Sequence, residues 1–251
     1  MSHLLKGVAL AAPLLLLGCP ADSTDTDTDV PNEAVCTEPE AVECFDDLLI
    51  DLSLQDEVTT ALITNDQQGP DWVSDVDATA GGFANAANNP WIYAKFTDAG
   101  LERVDVTDEE ALESMEWHIA ARRFVIRLNG GNSGPSCVSA AAFPNGDYDA
   151  LTAADADGAT FFEDDYYSSS CVLINDSSGL EGSPQVALSP WWSYPGCVAT
   201  TDVPFLIQLP DGRMVKYRVQ RYYGAQQNAC NTNGTPGGDS GQFRWVWSFV
   251  N

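Results

Sequence analysis

Four stretches of this chain alternate apolar and polar residues with a period of two, which is the geometry of a strand with one face buried. In "RFVIRL", Phe124, Ile126 and Leu128 share one face, while Arg123, Val125 and Arg127 share the other. "FLIQL" groups Phe205, Ile207 and Leu209. "MVKYRVQRYY" sets Val215, Tyr217 and Val219 against Lys216, Arg218 and Gln220. "FRWVWSFV" aligns Phe243, Trp245, Trp247 and Phe249. "WIYAKF" at 91–96, following Pro90, is a further strand candidate.

Turn residues punctuate these runs. Pro210-Asp211-Gly212 lies between two of them, and Asp-Gly is a strong hairpin signal. Asn129-Gly130-Gly131 supplies residues that tolerate positive φ. Helix signals are few. Thr107 with Glu110 three residues on predicts a capping box and about two helical turns. The segment 44–63 holds another short helix. Polar loops are expected near 130–145, 175–190 and 224–241. The expected fold is all-β, mainly antiparallel, in one domain over residues 36–251.

The N-terminal residues predict an address. Lys6 precedes an apolar stretch from Val8 to Leu17, too short to span a bilayer and suited to a secretory signal. The run Leu16-Leu17-Gly18-Cys19 resembles the bacterial lipobox, which implies a signal peptide over 1–18 and lipidation at Cys19. Residues 19–35 read as an acidic disordered tether, with alternating Asp and Thr and nothing to bury. Six further cysteines, Cys36, Cys44, Cys137, Cys171, Cys197 and Cys230, make three disulfides in an exported chain. Nearness in sequence alone favours 36–44, 137–171 and 197–230. No Cys/His grouping has zinc spacing.

The formal charge of −26 disfavours nucleic acid and anionic head groups as partners. Basic residues gather in the strand-like runs, including Arg122, Arg123, Arg127, Lys216, Arg218, Arg221 and Arg244. Such a strip either holds a ligand's carboxylates or pairs across strands with acids, and pairing is favoured.

Motifs for catalysis are thin. "GGDSGQ" matches the Gly-Asp-Ser-Gly around a trypsin-like nucleophile at Ser240, but His118 precedes rather than follows an Ala-Ala pair, and Gln242 stands where glycine is expected. A serine without a positioned base is a poor nucleophile. Glu163, Asp164 and Asp165 are adjacent acids in a chain with 37, so adjacency means little. "ADADG" at 154–158 is only a faint calcium signal. The expectation is a protein that is not an enzyme.

"MEWHIAARRFVIRLNGG", residues 115–131, resembles the central motif of the HmuY-like bacterial heme-binding lipoproteins. Trp117, Arg123, Asn129, Gly130, Gly131, Ser133 and Gly134 occupy matching positions, and Asp211-Gly212 matches the turn of the family's hairpin. The likeness spans about 88–250, through "WIYAKF", "PWWSY" at 190–194 and the 205–223 hairpin. It implies an antiparallel β fold, an envelope lipoprotein facing the periplasm or exterior of an outer membrane, and heme as ligand. Axial ligation in the family uses paired histidines or methionines. His118 stands where the motif has aspartate, a framework position, and the family's axial histidines are not recognisable here.

Two function classes follow. One is a lipid-anchored binding protein that captures heme or a similar planar ligand without catalysis, with His118, Met115, Met214 or a tyrosine as candidate ligands. The other is an envelope interaction lipoprotein that kept the fold and lost heme ligation, with Tyr222, Tyr223, Trp191 and Trp192 at a protein interface. A histidine at a strand mouth is also the expected titrator near neutral pH.

Overall fold

The computed structural model of the chain describes residues 34–79, 83–178, 180 and 183–250. The signal segment, Cys19 and most of the tether lie outside the described residues.

Twelve strands form three antiparallel sheets among the described residues. The largest sheet has six. β1 (Ile63–Gln68) pairs with β2 (Asp71–Asp77), and β2 with β12 (Gly238–Val250). β12 then pairs with β11 (Met214–Ala225), β11 with β10 (Phe205–Gln208), and β10 with β7 (Ser139–Ala142). A four-stranded sheet runs β4 (Gly100–Val104), β3 (Ile92–Thr97), β5 (Ile119–Arg122) and β6 (Val125–Leu128). β8 (Trp192–Ser193) and β9 (Ala199–Thr200) form a short ribbon.

The alternating runs behave as their period dictates. Val215, Tyr217 and Val219 of β11 and Phe243, Trp245 and Trp247 of β12 are buried in one core. Ile92, Ala94, Phe96, Ile119, Ala121, Ile126 and Leu128 enter the same core from the four-stranded sheet. Phe96 meets Trp247 edge-on, with centroids 4.9 Å apart. Such aromatic pairs contribute about 0.5–1.5 kcal/mol beyond their buried area.

The four-stranded sheet is buried on its second face too. Trp91, Tyr93 and Ala120 pack there with Trp117, Tyr166, Leu48 and Leu112. α1 (Phe45–Asp51) and α2 (Asp108–Ala111) help cover this face. Thr107 and Glu110 form the expected capping box of α2, but the helix lasts a single turn rather than two. The 205–223 hairpin is as expected: Gln208 faces Met214, and Gly212 turns with φ 82°.

Several expectations need correction. Cys36 bonds Cys137 and Cys44 bonds Cys171; only the Cys197–Cys230 pairing agrees with proximity in sequence. The cause is the path of the N-terminal segment. The Glu40 N–H donates to Pro135 O and the Cys36 N–H to Pro210 O, which lays Cys36 beside the turn carrying Cys137. Tyr167 donates to Asp51 at 2.9 Å, which docks the segment before Cys171 onto α1, headed by Cys44.

The expected loop at 224–241 contains α3 (Gln227–Asn233), whose buried residues are Gln227 and Cys230 rather than an apolar stripe. β7 lies inside the loop expected at 130–145. The cationic strip is not one surface. Arg127 is fully buried and Arg122 nearly so, whereas Arg221 and Arg244 both reach Asp75 at 2.8 Å across strands.

Candidate ligand-binding site

The motif residues build framework. The Trp117 indole N–H donates to Ala111 O at 2.8 Å. The Asn129 amide donates to Ser114 O and Trp117 O, and its oxygen accepts from the Ser136 N–H. Gly134 lies so close to Asn129 and Trp117 that a Cβ there would clash. Gly131 takes φ 60° and bridges to Asp164. The Asp164 carboxylate accepts from Ser133 Oγ (2.5 Å), the Leu128 N–H (3.0 Å) and the Ala187 N–H (2.8 Å), with Arg127 donating to Ser133. Burial pushes the Asp164 carboxyl up to about 6 against those donors and the Arg127 charge.

His118 belongs to this framework. Its Nδ1 accepts the Phe96 N–H at 3.1 Å, and its ring stacks on Phe96. Burial lowers its pKa to about 4; Asp211 works against that shift, Arg213 and Lys95 with it. The expectation of a near-neutral titrator is thereby corrected. Met214 opens β11 opposite Gln208 and Val250, and Met115 lies between α2 and β5. None of the three lines a described cavity.

Other acids are engaged locally. Asp155 of "ADADG" accepts from both the N–H and the hydroxyl of Thr152. The groupings of metal-capable side chains among the described residues contain Cys36 with Cys137 and Cys44 with Cys171, whose sulfurs are held in disulfides.

A cavity of about 580 Å³ opens at the other end of β11. Phe124, Tyr194, Tyr222 and Tyr223 form its aromatic wall, with Leu180 and Arg123 beside them. Its position follows from a break in strand register. Val219 faces Trp245, but Arg221 faces Arg244 and Tyr223 faces Ser240, so β11 carries one extra residue before Arg221 and β12 two before Arg244. Bulges of this kind re-aim side chains. After the first one the buried parity switches, and Tyr222 and Tyr223 are both buried. Trp191 and Trp192 are buried behind the wall, 6.1 Å from Tyr222 and 4.9 Å from Phe124 respectively. These four aromatics are therefore cavity wall and backing, not the interface surface expected of them.

The hairpin tip contributes Arg123 and Phe124. Arg122 pairs with Val125, so Arg123 and Phe124 are a two-residue turn rather than part of the expected strand. Arg123 stacks over Phe124 at 5.4 Å and its N–H donates to Ala78 O. Cys197–Cys230 ties the 194–198 wall to α3.

The two buried tyrosines of the wall are poor metal donors. Burial raises the Tyr222 phenol to about 12, with Arg123 opposing, and Tyr223 is raised by burial while its oxygen accepts the Val198 N–H at 3.2 Å. Both hold their protons at neutral pH. No described histidine or methionine lines the cavity, so the donor set does not fit heme held by His or Met ligands. Ser240 lines it too, but His118 sits near Asp211 and Arg213 at the opposite end of β11.

A family model described as HmuY protein matches residues 87–236. Solved structures similar to the chain include a Bacteroides fragilis protein assigned as a lipoprotein, with 19% identity and a TM-score of 0.41 over 76% of this chain and 96% of that one. A Bacteroides vulgatus protein assigned as HmuY-like and heme-binding has 18% identity and a TM-score of 0.41, again over 76% and 96%. The apo HmuY analog of Tannerella forsythia has 16% identity and a TM-score of 0.36 over 78% and 100%. No curated protein matches the chain.

Proposed function

The chain belongs to the HmuY family, and from that premise we propose that it is an exported, lipid-anchored envelope protein that captures a planar apolar ligand without transforming it. The observation that carries this reading is the aromatic cavity. Its volume of about 580 Å³ lies within the roughly 300–1,000 Å³ usual for small-molecule sites. Phe124, Tyr194, Tyr222 and Tyr223 present ring faces and edges against which a flat molecule can stack. No described helix is long and apolar enough to cross a membrane. In this reading acylation at Cys19 supplies the attachment, and the acidic residues 20–35 hold the domain away from the bilayer.

Heme fits this class by shape, and the Bacteroides vulgatus neighbour is described as heme-binding. The iron, however, meets no histidine or methionine in the wall. The supported ligand is therefore a ring system held by stacking, heme included only on those terms.

Titration with hemin and with metal-free protoporphyrin IX tests the proposal, because Trp191 and Trp192 stand close enough to the wall to be quenched. Saturable quenching by both supports it. A hemin spectrum identical to free hemin, with no saturable quenching by either compound, overturns it.

A second reading, an envelope interaction module that has lost heme ligation, is favoured by one exposed aromatic side chain. Phe162 is 61% exposed and borders a groove rimmed by Glu163, Asp165 and Asp176. Capture of an envelope partner that Phe162→Ser abolishes, with no porphyrin binding, selects this reading over the first.

A further inference from the structure

Resting on the reading that the aromatic cavity holds the ligand, we infer that Arg123 selects ligands that carry an acid. The ligand class is then a planar aromatic or tetrapyrrole carboxylate, recognised by its ring and its acid rather than by a metal.

The argument starts with backbone conformation. Arg123 is the first residue of the two-residue turn between β5 and β6, and its φ is 53°. Phe124 is not among the positive-φ residues. A tight hairpin with positive φ only at its first central residue is the type that favours glycine there. A side chain at that position costs backbone stability that glycine would not. Strained non-glycine residues concentrate at ligand clamps and switch regions. Asp239, at φ 54°, is a second such residue on the same wall.

The chemistry follows from what these residues carry. A guanidinium presents a fork of donors that matches a carboxylate with two parallel hydrogen bonds. Stacking over Phe124 holds the Arg123 plane beside the aromatic wall, where a bound ring would lie. Asp239, the acid on this wall, repels a ligand carboxylate and so directs it toward Arg123. The remaining wall adds the neutral hydroxyls of Thr79 and Ser240 and the Gln242 amide to its phenols and apolar groups, and its buried tyrosines keep their protons. Iron in the ligand meets no histidine or methionine on this wall.

The test uses the purified protein as wild type, Arg123→Gly and Arg123→Lys. Each is titrated by tryptophan quenching with metal-free protoporphyrin IX, with its dimethyl ester and with hemin. Wild type is expected to prefer the free diacid over the ester by about tenfold or more, the size of one charge-assisted hydrogen bond. Arg123→Gly is expected to unfold at an equal or higher temperature and to bind diacid and ester alike. Arg123→Lys keeps the charge without the fork and should fall between. Hemin and the metal-free diacid should agree within about threefold.

Equal wild-type affinity for diacid and ester, or an Arg123→Gly protein that keeps the diacid preference, overturns the role of Arg123 while leaving the cavity reading intact. Hemin binding more than about tenfold tighter than the metal-free ring overturns the metal-independent part. Absence of saturable binding by any of the three overturns this inference together with the cavity reading.

Discussion

His118 Nδ1 accepts the backbone N–H of Phe96 at 3.1 Å, which ties the segment entering β5 to β3. The chain's one described histidine thus closes a sheet contact, and a proton on Nδ1 would break it. Heme ligation through that nitrogen would break it as well.

Burial of this ring makes stability depend on pH. The folded-state pKa of about 4 lies below the ordinary 6.5, so the unfolded chain takes up the proton first as pH falls. The stabilisation is complete above about pH 6.5 and is lost as pH drops toward 4. At about 1.4 kcal/mol per unit it amounts to at most about 3.5 kcal/mol. Urea midpoints at pH 4.5 and 7.5 should differ more for wild type than for His118→Gln, whose side chain accepts without titrating. Equal differences would contradict the assignment.

Disulfide pairing is a direct check on the path of the N-terminal segment. Peptide mapping without reduction should recover 36–137, 44–171 and 197–230 linkages. Replacing Cys44 and Cys171 together by alanine opens a loop of 127 residues and should cost roughly 3–5 kcal/mol. A 36–44 linkage in the peptide map would refute the observed docking of α1.

Asn129 holds three backbone groups, on Ser114, Trp117 and Ser136. Asn129→Ala leaves them unpaired in a buried site and should cost about 2–4 kcal/mol, measured by denaturant unfolding. Porphyrin affinity of the folded fraction should stay unchanged, because Asn129 does not line the cavity. A loss of affinity without a loss of stability would instead make it a ligand-contact residue.

Processing at the lipobox predicts a mature N-terminus at Cys19 bearing a diacylglyceryl group. Intact-mass measurement of detergent-extracted protein checks this, and Cys19→Ser should abolish the modification. Unlipidated protein beginning upstream of Cys19 would remove the anchor from the account.

The parts of this fold legible in sequence are those set by local period. Val215, Tyr217 and Val219 alternate because β11 has one face in the core there. Leu206 and Val246, by contrast, are buried on the second faces of β10 and β12, so only part of the pattern read from period two holds. β1 carried no such signal, since all its residues after Ile63 are exposed at a sheet edge. α3 was equally silent, because Cys230's disulfide and the hydrogen bonds of Gln227 to Tyr222, Tyr223 and Val198 anchor it in place of an apolar stripe. The cavity depends on register shifts between β11 and β12, which arise from pairing between distant segments. "VQRYYG" reads locally as uninterrupted strand, so the switch that buries both Tyr222 and Tyr223 had no local mark. Arg123 was legible as a motif residue, and its place in a turn only from the pairing of Arg122 with Val125.

Whether the ligand rests against Phe124 and Tyr222 or on His118 is settled most directly by titrating hemin into wild type, Phe124→Ala and His118→Gln while following tryptophan fluorescence. The account predicts a wild-type curve that His118→Gln reproduces and a dissociation constant raised severalfold or more by Phe124→Ala. Affinity and Soret band lost in His118→Gln but retained in Phe124→Ala would contradict it.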